Sequence, residues 1–106
     1  MHAVDKALHQ LKVAACIAAS DFYRCQRLYI RAVMNTSRGH GAVTRQAFDE
    51  YLKAANAYQD ALRDLWEALL DAAPFPRKEE EIQRTMARYE VVVSELHAIQ
   101  RLALSW

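Results

Sequence analysis

Apolar residues return along the first third of the chain at Val4, Leu8, Leu11, Ala15, Ala18, Phe22, Cys25, Tyr29 and Ala32, in alternating steps of four and three. An α-helix turns about 100° per residue, so this period keeps them on one face. Neither Gly nor Pro interrupts the run before Asn35. The pattern predicts a helix over 3–35 with one face committed to a partner helix. The rest of its surface is not uniformly polar: Val13, Cys16, Ile17, Tyr23, Leu28 and Met34 fall well off the seam. A helix apolar on more than one side is expected to be covered on more than one side.

Both glycines, Gly39 and Gly41, sit just beyond that helix and mark a corner. Thr44 is the expected N-cap of a second helix over 44–73. Its seam is Phe48, Tyr51, Ala55, Tyr58, Leu62, Leu65 and Leu69, widened by Leu52, Trp66 and Leu70. The opposite face carries Asp49, Lys53, Asp60, Asp64, Glu67 and Asp71 and is expected to be wet. Pro74-Phe75-Pro76 stops this helix, because proline cannot continue the hydrogen-bond ladder and restricts the residue before it. Phe75 is expected to plug the bundle end, and Pro76 to open a third helix over 77–105. In its first turns Glu79, Glu80 and Glu81 complement the helix dipole. The expected seam is Ile82, Met86, Tyr89, Val93, Leu96, Ile99, Ala103 and Trp106. Val91, Val92 and Val93 mildly oppose helix formation, so packing must hold them there. The fold class is all-α: an up-down-up bundle of three helices, each about 45 Å long, without strands.

At 106 residues, 53% hydrophobic and 25% charged, the composition is that of one folded helical domain over 1–106. A core this small leaves much apolar area wet, so homodimerisation is expected to complete the bundle. The net charge of +1 is unevenly placed: residues 1–45 hold seven Lys/Arg against two acids, and residues 46–106 seven against eleven. That asymmetry suits either an acidic partner for the first helix or internal packing of it beside the acidic second helix. Internal packing is the preferred account, since exposed ion pairs are worth little.

Cys16 and Cys25 lie nine residues apart, on roughly opposite sides of one helix and about 13 Å apart along it, so they do not pair. Two reduced thiols, with Cys25 in the core, point to the cytoplasm. Lys6 and Lys12 ahead of residues 13–19 and Ser20 imitate a secretory signal, but the apolar run is minimal and Asp5 spoils the basic start. Nothing approaches the roughly 20 apolar residues of a membrane span.

No catalytic template fits. Glu95 and His97 are two apart where a di-iron bundle needs Glu-x-x-His. Gly39-His40-Gly41 lacks the Lys-Ser/Thr of a phosphate loop, and His40 reads as a solvated loop residue. Cys16 has no nearby base, and Asp60 and Asp64 have no apolar pocket to shift a pKa. No cofactor, metal or enzymatic activity is expected. Arg24, Arg27, Arg31 and Arg38 form a stripe that suits phosphates, yet the sequence pI of about 7.8 falls short of a nucleic-acid footprint. Arginine beside Tyr, Leu and Met is instead the composition of protein-interface centres. The expected contact set is Val13, Ile17, Tyr23, Arg24, Arg27, Leu28, Arg31 and Met34.

The Ala/Arg/Leu-rich hairpin, with the stretch Thr44-Arg45-Gln46-Ala47-Phe48-Asp49-Glu50-Tyr51-Leu52-Lys53, resembles the small helical antiactivators of bacterial quorum sensing, of the Pseudomonas type that restrains a LuxR-type regulator. The resemblance lies in size, helix content and composition. It implies a cytoplasmic homodimer that binds the regulator's ligand-binding half, blocks its dimerisation and so abolishes DNA binding. A secretion chaperone, a phage-type inhibitor or a small nucleic-acid-binding helical protein would share the same features.

Overall fold

A computed structural model describes residues 3–35, 41–72 and 78–104. Among these the chain forms three α-helices: α1 over Ala3–Asn35, α2 over Ala42–Ala72 and α3 over Lys78–Leu104. α2 is the middle helix. α1 and α3 each pack along it, whereas no Cα of α1 comes within 8 Å of a Cα of α3 among the described residues. Lys12 reaches Glu81, each in the N-terminal half of its helix, so α1 and α3 run parallel and both oppose α2. The result is the expected up-down-up arrangement, opened into an elongated layer of 54 × 22 × 15 Å.

The α1–α2 seam follows the sequence pattern. Leu8, Ala15, Phe22, Cys25 and Tyr29 are buried on α1, against Phe48, Tyr51, Ala55, Tyr58, Leu62, Leu65 and Leu69 on α2. The Phe22 ring lies 5.5 and 5.6 Å from those of Tyr51 and Tyr58, and the Tyr29 ring 5.7 Å from both Phe48 and Tyr51. Such offset contacts add directional preference to area burial. Beside the aromatics runs a line of small residues: Ala47, Ala54, Ala61 and Ala68 recur every seventh position of α2, all packed in or against the core. Short side chains there let the two backbones approach closely.

Three expectations need correction. Thr44 does not cap α2, which starts at Ala42; the Arg45 N–H donates to the Gly41 carbonyl at 3.0 Å, and Thr44 is buried within the first turn. Leu70 does not widen the seam and is exposed. On α3 the buried line is Thr85, Val92, Leu96 and Ile99, while Met86 is 44% exposed and Ile82, Tyr89 and Val93 are half-buried. Thr85 is tolerated in the core because its hydroxyl donates to the Glu81 carbonyl one turn back, at 2.8 Å. The expectations for Gly39, His40, Pro74, Phe75, Pro76 and Trp106 fall outside the described residues.

Candidate protein-interaction surface

All eight residues of the expected contact set are exposed. Among the large apolar members, Val13 is 44% exposed, Ile17 65%, Tyr23 44%, Leu28 39% and Met34 79%. They do not form one patch, because two sets of contacts fix how α1 is turned. On one side, Lys12 Nζ meets Glu81 Oε1 at 3.0 Å. There too, Gln26 Nε2 donates to the Tyr51 hydroxyl at 3.0 Å, and that hydroxyl donates to Glu95 Oε2 at 3.1 Å. This edge of α1 faces α3. On the other side, Ile17, Ala18, Asp21 and Arg24 line a hollow with Ala57 of α2 and with no residue of α3.

At about 100° per residue, α1 therefore carries three lines. Cys16, Tyr23 and Ile30 recur by sevens on the α3 side. Val13, Ser20, Arg27 and Met34 recur by sevens on the outer ridge. Ile17, Arg24, Leu28 and Arg31 follow the far edge. Of the expected set, only Tyr23 faces α3. Sequence reasoning missed Ile30 and Val33, both exposed, although the same off-seam count applied to 29–35 finds them. It also missed Val91, exposed on α3, whose relevance depends on where that helix packs.

α1 packs along α2, as the preferred charge account expects, but the two helices meet through their apolar seams and not through ion pairs. Asp49, Asp60, Asp64, Glu67 and Asp71 stay exposed on the outer face of α2. Arg24 pairs with Asp21 and Arg63 with Asp60, each within its own helix, while Lys12 crosses to α3. Arg27 and Arg31 have no acidic partner among the described residues.

The buried titratable groups are held neutral. Burial, assisted by the acceptor Glu95 and opposed by the Gln26 amide, pushes the Tyr51 phenol up to about 12. Burial likewise raises Tyr29, Tyr58 and the Cys25 thiol. A thiol kept protonated is a poor nucleophile or metal ligand. Among the described residues no His, Cys, Asp and Glu cluster could hold a metal ion, and no helix is long and apolar enough to cross a membrane. Compared with known proteins, the chain matches no family model, no curated protein and no solved structure.

Proposed function

We propose that this protein is a non-catalytic interaction module that works as a negative regulator by sequestering a partner protein. In its most specific form it is a cytoplasmic, homodimeric antiactivator that blocks dimerisation and DNA binding of a LuxR-type quorum-sensing transcription factor. The observation that supports the general reading is the exposure of Val13, Ile17 and Leu28 beside Arg24, Arg27 and Arg31 on one helix. A 33-residue helix is about 50 Å long, and a strip of it roughly 10 Å wide offers on the order of 500 Å². That is a large part of the ~800 Å² each partner contributes to a standard interface. Competition supplies the mechanism: apolar side chains fill a groove the target otherwise uses for itself, while arginines orient the encounter.

Leu28→Glu tests this reading. Circular dichroism should report an intact helical fold, because Leu28 lies outside the core, while capture of the partner from native cell extract, or the mass of the dimer, should be lost. Survival of both would show that this surface is not the one used.

A further inference from the structure

The far edge of α1, turned away from α3, carries a second helical seam. Ala14, Ile17, Asp21, Arg24, Leu28 and Arg31 recur in alternating steps of three and four, each one residue before a member of the first seam, and all six are exposed. Ala14, Ile17, Ala18, Asp21 and Arg24 border a hollow of about 630 Å³ with Ala57 of α2. Alanines there leave room for another helix to come close. The line also matches its own reverse. Turned end for end about the level between Phe22 and Tyr23, it sets Ile17 opposite Leu28, Asp21 opposite Arg24 and Ala14 opposite Arg31.

We infer that a second copy of this chain docks on this edge, its α1 antiparallel to the first about a twofold axis at that level. The inference rests on the homodimer of the proposed function and gives it a contact, a direction and a register. Order of charge decides the direction. A parallel pair sets Asp21 against the partner's Asp21 and Arg24 against the partner's Arg24, like charges in contact. Sliding the antiparallel pair by one heptad sets Ile17 against the partner's Asp21, or in the other sense Leu28 against the partner's Arg24. Only the central register joins apolar to apolar and acid to arginine. Arg24 already holds Asp21 of its own helix through one nitrogen, and the remaining donors of its guanidinium are free to reach the partner's carboxylate.

The acids of α2 belong to the same edge. Glu50 and Asp64 lie seven residues to either side of Ala57, so the edge carries Asp21, Glu50 and Asp64 against Arg24, Arg27 and Arg31. Its net charge is close to zero and draws neither an acidic nor a basic stranger; what it offers is an arrangement that its own reverse complements. Because α1 and α2 are antiparallel, Asp64 lies toward the Ala14 end, where the partner's Arg31 arrives. Asp64 has no cationic partner of its own among the described residues. The other helices of a second copy fit less well. The large exposed apolar residues of the Glu-rich α3 are Met86 and Val91, about 140° apart around the helix, so it has no pair at the spacing of Ile17 and Leu28. Those of α2, Val43 and Leu70, stand near its two ends.

Sedimentation equilibrium of the full chain tests the contact. The two helices overlap from residue 10 to residue 35, about 39 Å, which at roughly 10 Å wide gives on the order of 400 Å² per copy. That is half of the ~800 Å² of a standard interface, so the dimer should dissociate on dilution. Asp21→Arg and Arg24→Asp should each raise its dissociation constant at least about tenfold, and the two variants mixed in equal amounts should associate within about threefold of the parent. Circular dichroism should be unchanged throughout. Direction is read by cross-linking in a Cys16→Ser background. Ile17→Cys and Leu28→Cys chains should form a disulfide when mixed and oxidised, and neither alone, because like positions stand about 16 Å apart along the antiparallel pair. A monomer at every concentration, a dimer indifferent to either charge reversal, or a disulfide in one variant alone would overturn the inference. If Leu28→Glu abolishes partner capture while the parent chain is monomeric, the interaction-module reading stands and the twofold contact falls. If the dimer behaves as expected while Leu28→Glu still captures the partner, the twofold contact stands and partner binding lies off this edge.

Discussion

The interface between α1 and α2 and the one between α2 and α3 share a helix but are built from different materials. On one side of α2, aromatic rings from both helices interleave and a line of alanines lets the backbones close up. On the other, α3 contributes a narrow line of Thr85, Val92, Leu96 and Ile99, joined to α2 by two polar bridges, Tyr51 to Glu95 and Gln59 to Tyr89, while Lys12 ties α3 to α1 through Glu81. The difference teaches that α1–α2 is the hairpin that holds the fold and that α3 is added to it. Burial of large rings is worth more than a handful of partly solvated hydrogen bonds.

The largest expected effect separates the two interfaces. Phe22→Ala should cost about 3–5 kcal/mol in urea unfolding and loosen all three helices, because it empties the centre of the aromatic cluster. Leu96→Ala should cost about 2–5 kcal/mol, and hydrogen exchange should accelerate in α3 while α1 and α2 keep their protection. Simultaneous loss of protection in all three helices on Leu96→Ala would mean that the two interfaces form one cooperative unit.

A smaller effect sharpens the role of the bridge. Tyr51→Phe should cost about 1 kcal/mol at neutral pH, the worth of a partly exposed hydrogen-bond pair. Tyr51 has a folded pKa of about 12 against an ordinary 10.0. Folding therefore favours its neutral form; the associated stability is complete below pH 10 and is lost as pH rises toward 12. Thermal melts at increasing pH should show the gap between Tyr51→Phe and the parent closing across that range. Cys25, Tyr29 and Tyr58 shift the same way and make both proteins alkali-sensitive. The smallest effect belongs to Lys12→Ala, whose ion pair is partly exposed on both sides: about 0–1 kcal/mol, shrinking in high salt.

Where the hydrophobic period met a full partner face, it was legible from residue order alone. The bounds of α1, the seven-residue seam of α2 from Phe48 to Leu69 and the wet acidic face opposite it needed nothing but the turn of a helix. The off-seam apolar residues of α1 were equally legible as a set, because their distance from the seam is a property of spacing. Their division into a ridge, a far edge and an edge facing α3 was not, since it depends on which neighbour lies on which side. α3 was legible only in part: Leu96 and Ile99 are buried and Ile82 and Tyr89 pack against the core as expected, but Met86 is exposed and Thr85 and Val92 were missed. Several rotations of an Ile/Val/Leu-rich sequence supply a narrow buried line, so the choice of Val92 over Met86 came from packing against α2. Thr85 escaped notice because burying a hydroxyl depends on its finding the Glu81 carbonyl, a local bond that periodicity does not encode. Helical period is thus fixed by the chain itself, whereas the spacing of α1 from α3 is decided only when three helices compete for the surface of one.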